Sequence, residues 1–380
     1  MAAVEFQLSR KMIDWIANSQ GVSIETLADQ VMPKKINKFL NGVVSKSAAE
    51  KLAKIGGIPF GFLFLETPPT PAKPKIPDLR QAINSRELGK DFFDVYYDIE
   101  YKLEWYKDYL RENGNDDPLD FIGKFKFNRK LNYKVVATDI ANTIHFDIQK
   151  EIKNVTFESY FSKVAKLIED TGVLVFKNGV VGNNNKRKLD TREFRGFCIS
   201  DSVAPIIFVN SSDALSAQVF TLFHEVAHLW LGVDGVSGWD TEKNIESFCN
   251  KVAAEILMPD NLFKSFWLNA SSDNNYYRVK EVSKLFKVSD FACAIKALQL
   301  DLIERNTLEI IKDQAYNKPK KESNGGSFFN TLPVRNSPKL TNIIISKAMS
   351  QQLPLREAGV LLNVKAQTGF FLVGGAMMGI

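Results

Sequence analysis

Cysteine is scarce: Cys198, Cys249 and Cys293 lie far apart in 380 residues and form no C-x-x-C pair. An odd, dispersed set argues against a disulfide framework and for a reducing interior. No apolar run reaches the roughly 20 residues that a membrane span requires. The stretch Met1 to Gln20 has neither a continuous apolar core nor a small-residue cleavage site, so no secretory leader is expected and the expected location is cytoplasmic. The apolar, Gly-rich tail Phe370 to Ile380 is too short to span a bilayer. No glycine-rich phosphate cradle appears, which argues against a metal-dependent hydrolase of small molecules. The net charge of +5 permits contact with nucleic acid without arguing for it. With 45% apolar and 24% charged residues, the chain has an ordinary globular balance that leaves little room for long disorder. At this length two or three domains are the natural expectation.

Histidine is equally scarce, with three in all, yet two of them stand four residues apart. The segment Thr221-Leu222-Phe223-His224-Glu225-Val226-Ala227-His228-Leu229-Trp230 is H-E-x-x-H on an apolar helical pattern. Positions i and i+4 share one helix face, so both imidazoles can reach a single metal ion. Glu225, next to the first ligand, is placed to hold and deprotonate a water at that ion. The third histidine, His145, stands alone and reads as structural.

A catalytic zinc takes three protein ligands and keeps one position open. The helix expected over Thr241 to Pro259, after a turn with Gly232, Gly235 and Gly238, offers Glu242, Glu246 and Glu255. Glu246 flanks the apolar stripe of Ile245, Phe248, Cys249, Val252, Ala253, Ile256 and Leu257 at its N-terminal end, which favours it. Glu242 lies close to the loop, and Glu255 reads equally well as a surface charge.

Around this centre the chain divides into recognisable stretches. Residues 8–65 read as short helices in helix-turn-helix rhythm: Ser9 to Ala17, a second opened by Ser23, Met32 to Leu40, and Ser47 to Ile55. The third would be the recognition helix, and its Lys34, Lys35 and Lys38 are candidate DNA-phosphate contacts. Only Asn37 there is suited to reading bases. A linker over 66–80 holds five prolines between Thr67 and Pro77 and should be extended and stiff. Residues 81–150 contain a long aromatic-rich helix, 91–112, stopped at Asn113-Gly114-Asn115. The stretch 151–275 reads as the metallopeptidase domain: a helix over 156–171, strands at Val173–Phe176, Phe194–Ile199 and Ala204–Val209, a polar loop between the first two, then the motif helix with Asp213 as its N-cap. Residues 276–380 form a helical C-terminal region. The fold class is therefore α+β: a mostly helical multidomain chain with a small mixed sheet beside a zincin-like H-E-x-x-H helix, plus helix-turn-helix-like modules.

Four segments together, Glu193–Phe197, Ala204–Asn210, Phe220–Leu229 and Ile245–Pro259, resemble the ImmA/IrrE metallopeptidase family. The similarity is closest to members with an N-terminal XRE-type helix-turn-helix, whose joint resembles Ile76-Pro77-Asp78-Leu79-Arg80. The region Val282–Asp290 and the helix after it resemble the family's second, helix-turn-helix-like domain. The resemblance implies zinc held by His224, His228 and Glu246, with Glu225 as catalytic acid/base, as in gluzincins. It also implies a protein substrate, a transcriptional repressor or antitoxin, in control of a mobile element or stress response. Extended substrate would pair with the strand near Ile206–Asn210. Tyr276, Tyr277 and Arg195 are candidates to stabilise the oxyanion. The rival reading is a DNA-binding or toxin-type regulator whose zinc site is mainly structural or weakly active. Against it, a structural zinc takes four protein ligands and has no use for Glu225.

Overall fold

The computed structural model describes residues 5–19, 22–56, 58, 60–68, 88–233, 239–317 and 328–365. Most of the proline-rich linker, the Ile76–Arg80 joint, Gly235, Gly238, the side chain of Glu242 and the tail from Gln367 lie outside them. The chain falls into two units, Met1–Lys75 and Ile76–Ile380.

In the first unit, α1 (Arg10–Ser19), α2 (Ile24–Val31), α3 (Ile36–Leu40) and α4 (Lys46–Gly56) surround Met12, Ile16, Leu27, Phe39 and Leu52. Ser23 caps α2, its hydroxyl accepting from the Thr26 amide at 3.2 Å. The helix expected over Met32–Leu40 is broken. Met32 leaves helical geometry at φ −140°, and Pro33–Lys35 form a 3-10 turn before α3 begins. Proline at the first position fits such a restart. A short antiparallel pair, β1 (Glu5–Gln7) with β2 (Val43–Ser45), was not foreseen.

The second unit contains α5 (Lys90–Glu112), α6 (Tyr133–Thr143), α7 (Ile148–Glu151), α8 (Phe157–Asp170), α9 (Leu215–Leu231), α10 (Trp239–Leu257), α11 (Asp260–Leu268), α12 (Asn275–Phe286), α13 (Asp290–Gln299), α14 (Arg305–Asn317), α15 (Phe328–Arg335), α16 (Pro338–Met349) and α17 (Leu355–Leu361). Its sheet has the order β3-β7-β6. Strand β3 (Leu174–Asn178) runs parallel to the central β7 (Ile206–Asn210), and β6 (Gly196–Ile199) pairs antiparallel with β7 on the other side. The polar loop after β3 is in fact a hairpin, β4 (Val180–Val181) with β5 (Asn184–Lys188). The chain is thus mostly helical with small mixed sheets, an α+β fold.

Both faces of the sheet are buried, which explains the unbroken apolar runs of β3 and β7. Val175, Ile207 and Val209 face a core shared with α6, α8, α9, α10, α12 and α13. Leu174, Phe176, Phe197, Ile206 and Phe208 face a second core supplied by α5, α16 and α17. The aromatic seam of α5 belongs here: Phe92 meets Phe194 and Phe197 edge-on at 4.9 and 5.6 Å. Lys102 of α5, fully buried, is held by Asp98 at 2.5 Å and by Asn336 at 3.0 Å, which ties α5 to the C-terminal helices. Between α12 and α13, where a helix-turn-helix-like module was expected, Lys287 adopts left-handed geometry and Ser289 caps α13. Among the described residues no helix is long and apolar enough to cross a membrane.

Candidate metal centre

The first cap of α9 is not Asp213. Ala214 occupies the cap position with extended dihedrals, and α9 starts at Leu215. The Asp213 carboxylate accepts instead from the Ala214 amide at 2.8 Å and faces Arg195 at 3.6 Å, a pairing across the sheet that sequence does not display. Gln218 fastens the turn that leads into the helix, its side-chain amide donating to the carbonyls of Ser211 and Asp213. At the other end Gly232 terminates α9 in left-handed geometry at φ +59°. A Cβ there would meet the Gly123 backbone at 2.6 Å, so only glycine fits.

Between those ends α9 is buried along almost its whole length. His224 and His228, one turn apart, bring their Nε2 atoms to 3.1 Å of each other. α10 packs against α9 and presents Glu246 to both rings. Its Oε2 lies 3.0 Å from His224 Nε2, and its Oε1 lies 3.1 Å from His228 Nε2. One donor atom from each of the three residues lies within 4.8 Å of the others. Two imidazole nitrogens and one carboxylate oxygen form the donor set of a catalytic zinc. The Nδ1 of His224 meets Asn250 Oδ1 at 3.0 Å. An Nδ1–H tautomer satisfies that contact and leaves Nε2 as the free lone pair, the usual outer partner of a metal-ligating histidine.

Glu225 points to the sheet side of the same centre. It is 3% exposed, and its Oε2 has no hydrogen-bond partner in the protein. A buried carboxylate oxygen left this way calls for a polar partner such as water. β6 makes room for it. A Cβ on Gly196 would fall 2.6 Å from Thr221 Cγ2, 2.9 Å from the Phe208 carbonyl oxygen and 3.2 Å from Glu225 Oε1. Burial pushes the Glu225 carboxyl above its ordinary value, against the pull of both histidines. Burial opposes charge on His224 too, but the Glu246 hydrogen bond and the neighbouring carboxylates win and raise it. Glu246 is half-buried, and against that desolvation its two histidine bonds drive it far below the usual carboxylate range.

The other candidates lie elsewhere. Glu255 is bound by Lys296 at 2.7 Å, a buried lysine that also pairs with Asp260 at 2.5 Å. That is a structural ion network, not a ligand. The Tyr276 hydroxyl donates to Gln314 of α14, Tyr277 is largely exposed beside it, and Arg195 faces Asp213. His145 sits exposed just past α6. In the first unit Lys34 and Lys35 are exposed on the 3-10 turn, while Lys38 pairs with Glu5 at 2.8 Å. Asn250 was missed at the sequence level, although its position four residues after Glu246 places both on one face of α10.

Two histidines and a glutamate from consecutive helices, beside a small mixed sheet and with a further glutamate inside the motif, define a metallopeptidase. Residues 168–297 match the IrrE N-terminal-like domain of the Peptidase_M78 family, so the chain carries an ImmA/IrrE-type metallopeptidase domain. That stretch is about a third of the chain and holds His224, Glu225, His228, Glu246 and Asn250. No curated protein and no solved structure matches the chain.

Proposed function

We propose that this chain is a zinc-dependent, gluzincin-like endopeptidase that cleaves one specific protein partner. The observation that carries the reading is the convergence of His224 Nε2, His228 Nε2 and a Glu246 oxygen beside the orphaned carboxylate oxygen of Glu225. The three donors would hold the ion. Bound there, zinc would polarise the scissile carbonyl and bring the pKa of water toward about 7.

Glu225 would take the proton of the attacking water and hand it to the leaving amine. Its burial excludes bulk water from that exchange, and Gly196 keeps the approach to it open. Asn250 would keep the His224 ring from rotating. The strand available to an extended substrate is β6. β7, the strand expected to receive it, is paired on both sides by β3 and β6, so it has no free edge. β6 is the terminal strand of the sheet on the Glu225 side, and a peptide added to it would run past the catalytic carboxylate.

A repressor or antitoxin as target, and a role in mobile-element or stress control, rest on the family resemblance. Co-expression with the product of the neighbouring gene tests this reading. Wild-type protein should yield defined fragments of that partner by mass spectrometry, and Glu225→Gln should yield none while retaining zinc. Identical fragments from the variant would remove the mechanism.

A further inference from the structure

Beside the catalytic glutamate, on the strand that faces it, stands a side chain with no assigned part in the chemistry. Residues two apart on a strand share a face. On β6, Gly196 and Cys198 are such a pair. The Gly196 position looks directly onto Thr221 and Glu225 of α9. Cys198 packs with the α9 side of the sheet, while its neighbours Phe197 and Ile199 belong to the core on the opposite face. Cys198 is half-buried and is not in a disulfide, and its thiol interacts with the Glu225 carboxylate. The other two cysteines are fully buried.

We infer that Cys198 is a positioning residue for Glu225: its S–H donates to the carboxylate and fixes the carboxylate plane, leaving Oε2 as the oxygen turned to water. This rests on the peptidase reading above. The geometry gives each group one task. Gly196 leaves space where a Cβ would strike Thr221 and the Phe208 carbonyl and crowd Glu225. Cys198, one strand period on, supplies a donor at the rim of that space. Glu225 is 3% exposed and Oε2 has no protein partner, so the thiol is a polar contact that restrains the carboxylate from the strand side. A thiol is a weak donor, so it can orient the carboxylate without competing strongly for the proton that Glu225 must carry. Packing alone asks for no sulfur here, since valine would fill the same volume against α9.

Infrared spectroscopy of the S–H stretch tests the contact directly, because the chain has three thiols and the difference between wild type and Cys198→Ser isolates one band. The Cys198 band is expected at a lower frequency than a thiol without an acceptor, and Glu225→Leu should move it up. A band unmoved by Glu225→Leu overturns the inference. The functional arm uses zinc-loaded protein and a quenched-fluorescence, random-sequence peptide pool. Cys198→Val should lower kcat about tenfold at unchanged KM and unchanged bound zinc, and Cys198→Ser should stay within about twofold of wild type. Equal loss in both variants means that a hydrogen-bond donor at this place is not what positions Glu225, and wild-type kcat in Cys198→Val means that the side chain only packs. If the wild-type protein leaves the pool intact, the segment of the partner cleaved in the co-expression experiment replaces it; absence of cleavage there too overturns the peptidase reading, while the infrared band decides separately whether the thiol holds Glu225.

Discussion

Asn250 Oδ1 lies 3.0 Å from Nδ1 of His224, on the side of the ring away from Glu246. Both Asn250 and Glu246 belong to α10, so one helix face supplies a proposed ligand and the brace for another. Removing such an outer partner costs about 10–100-fold in metal affinity. Asn250→Ala should therefore weaken zinc by that factor in a chelator competition, and Asn250→Asp should restore most of it. Unchanged affinity in the alanine variant would show that the ring is held by packing alone.

Gly196 predicts a steric effect. Its Cβ would sit 2.6 Å from the Thr221 methyl and 2.9 Å from the Phe208 carbonyl oxygen. Gly196→Ala should cost about 1–3 kcal/mol in chemical denaturation, the usual range for overpacking. Thr221→Ser removes the nearer of the two contacts and should recover part of that loss. Full additivity of the two substitutions would contradict a direct clash.

Lys296 is 4% exposed between Glu255 and Asp260. Lys296→Met should destabilise the protein by about 3 kcal/mol, because it leaves the half-buried Glu255 without its cation and Asp260 with Lys134 alone. Burial of Asp260 is outweighed by Lys134 and Lys296, which hold its carboxyl at about 2 instead of the ordinary 3.8. The folded value lies below the unfolded one. Its contribution is complete above about pH 4 and is lost as the pH falls toward 2. Stability measured across that window should drop less steeply in Asp260→Asn than in wild type.

Lys177 shows a slope of the same sign from a different cause, at the alkaline end. It stands over the Phe161 ring at 4.3 Å, and burial pushes its amine down to about 8 from 10.5. Between those values the unfolded chain binds more protons than the folded one, so stability from this group rises with pH across about 8–10.5 and is flat below. Lys177→Met should abolish that rise and raise stability at pH 7 by on the order of 1 kcal/mol. Parallel curves for variant and wild type would refute the burial cost.

The motif helix α9 was legible in sequence because of its spacing: His224 and His228, four apart, share a face, and few other arrangements satisfy that. β3 and β7 were legible as apolar runs because both of their faces are covered. Where signal was lost, the cause was long range or local polarity. β5 reads Asn184-Asn185-Lys186-Arg187-Lys188, with no apolar alternation, because it pairs in a two-stranded hairpin outside the main sheet. Asp213 looks like a cap, but its partner Arg195 is 18 positions upstream, and only folding brings the two together. The role of Glu255 was open until Lys296, 41 positions on, supplied its partner. The free edge was misplaced for the same reason: composition marks β7 as a strand but does not say how many neighbours it has. Asn250 was within reach, since a polar residue one turn after a ligand glutamate on an otherwise apolar helix face asks for a partner.

Metal analysis tests the central claim most directly. Elemental quantification of protein purified without added chelator should find about one zinc per chain in wild type and in Glu225→Gln, and a small fraction of that in Glu246→Ala. A wild-type protein that neither carries zinc nor takes it up at stoichiometric addition, or a Glu246→Ala variant that holds it as tightly as wild type, would contradict the account.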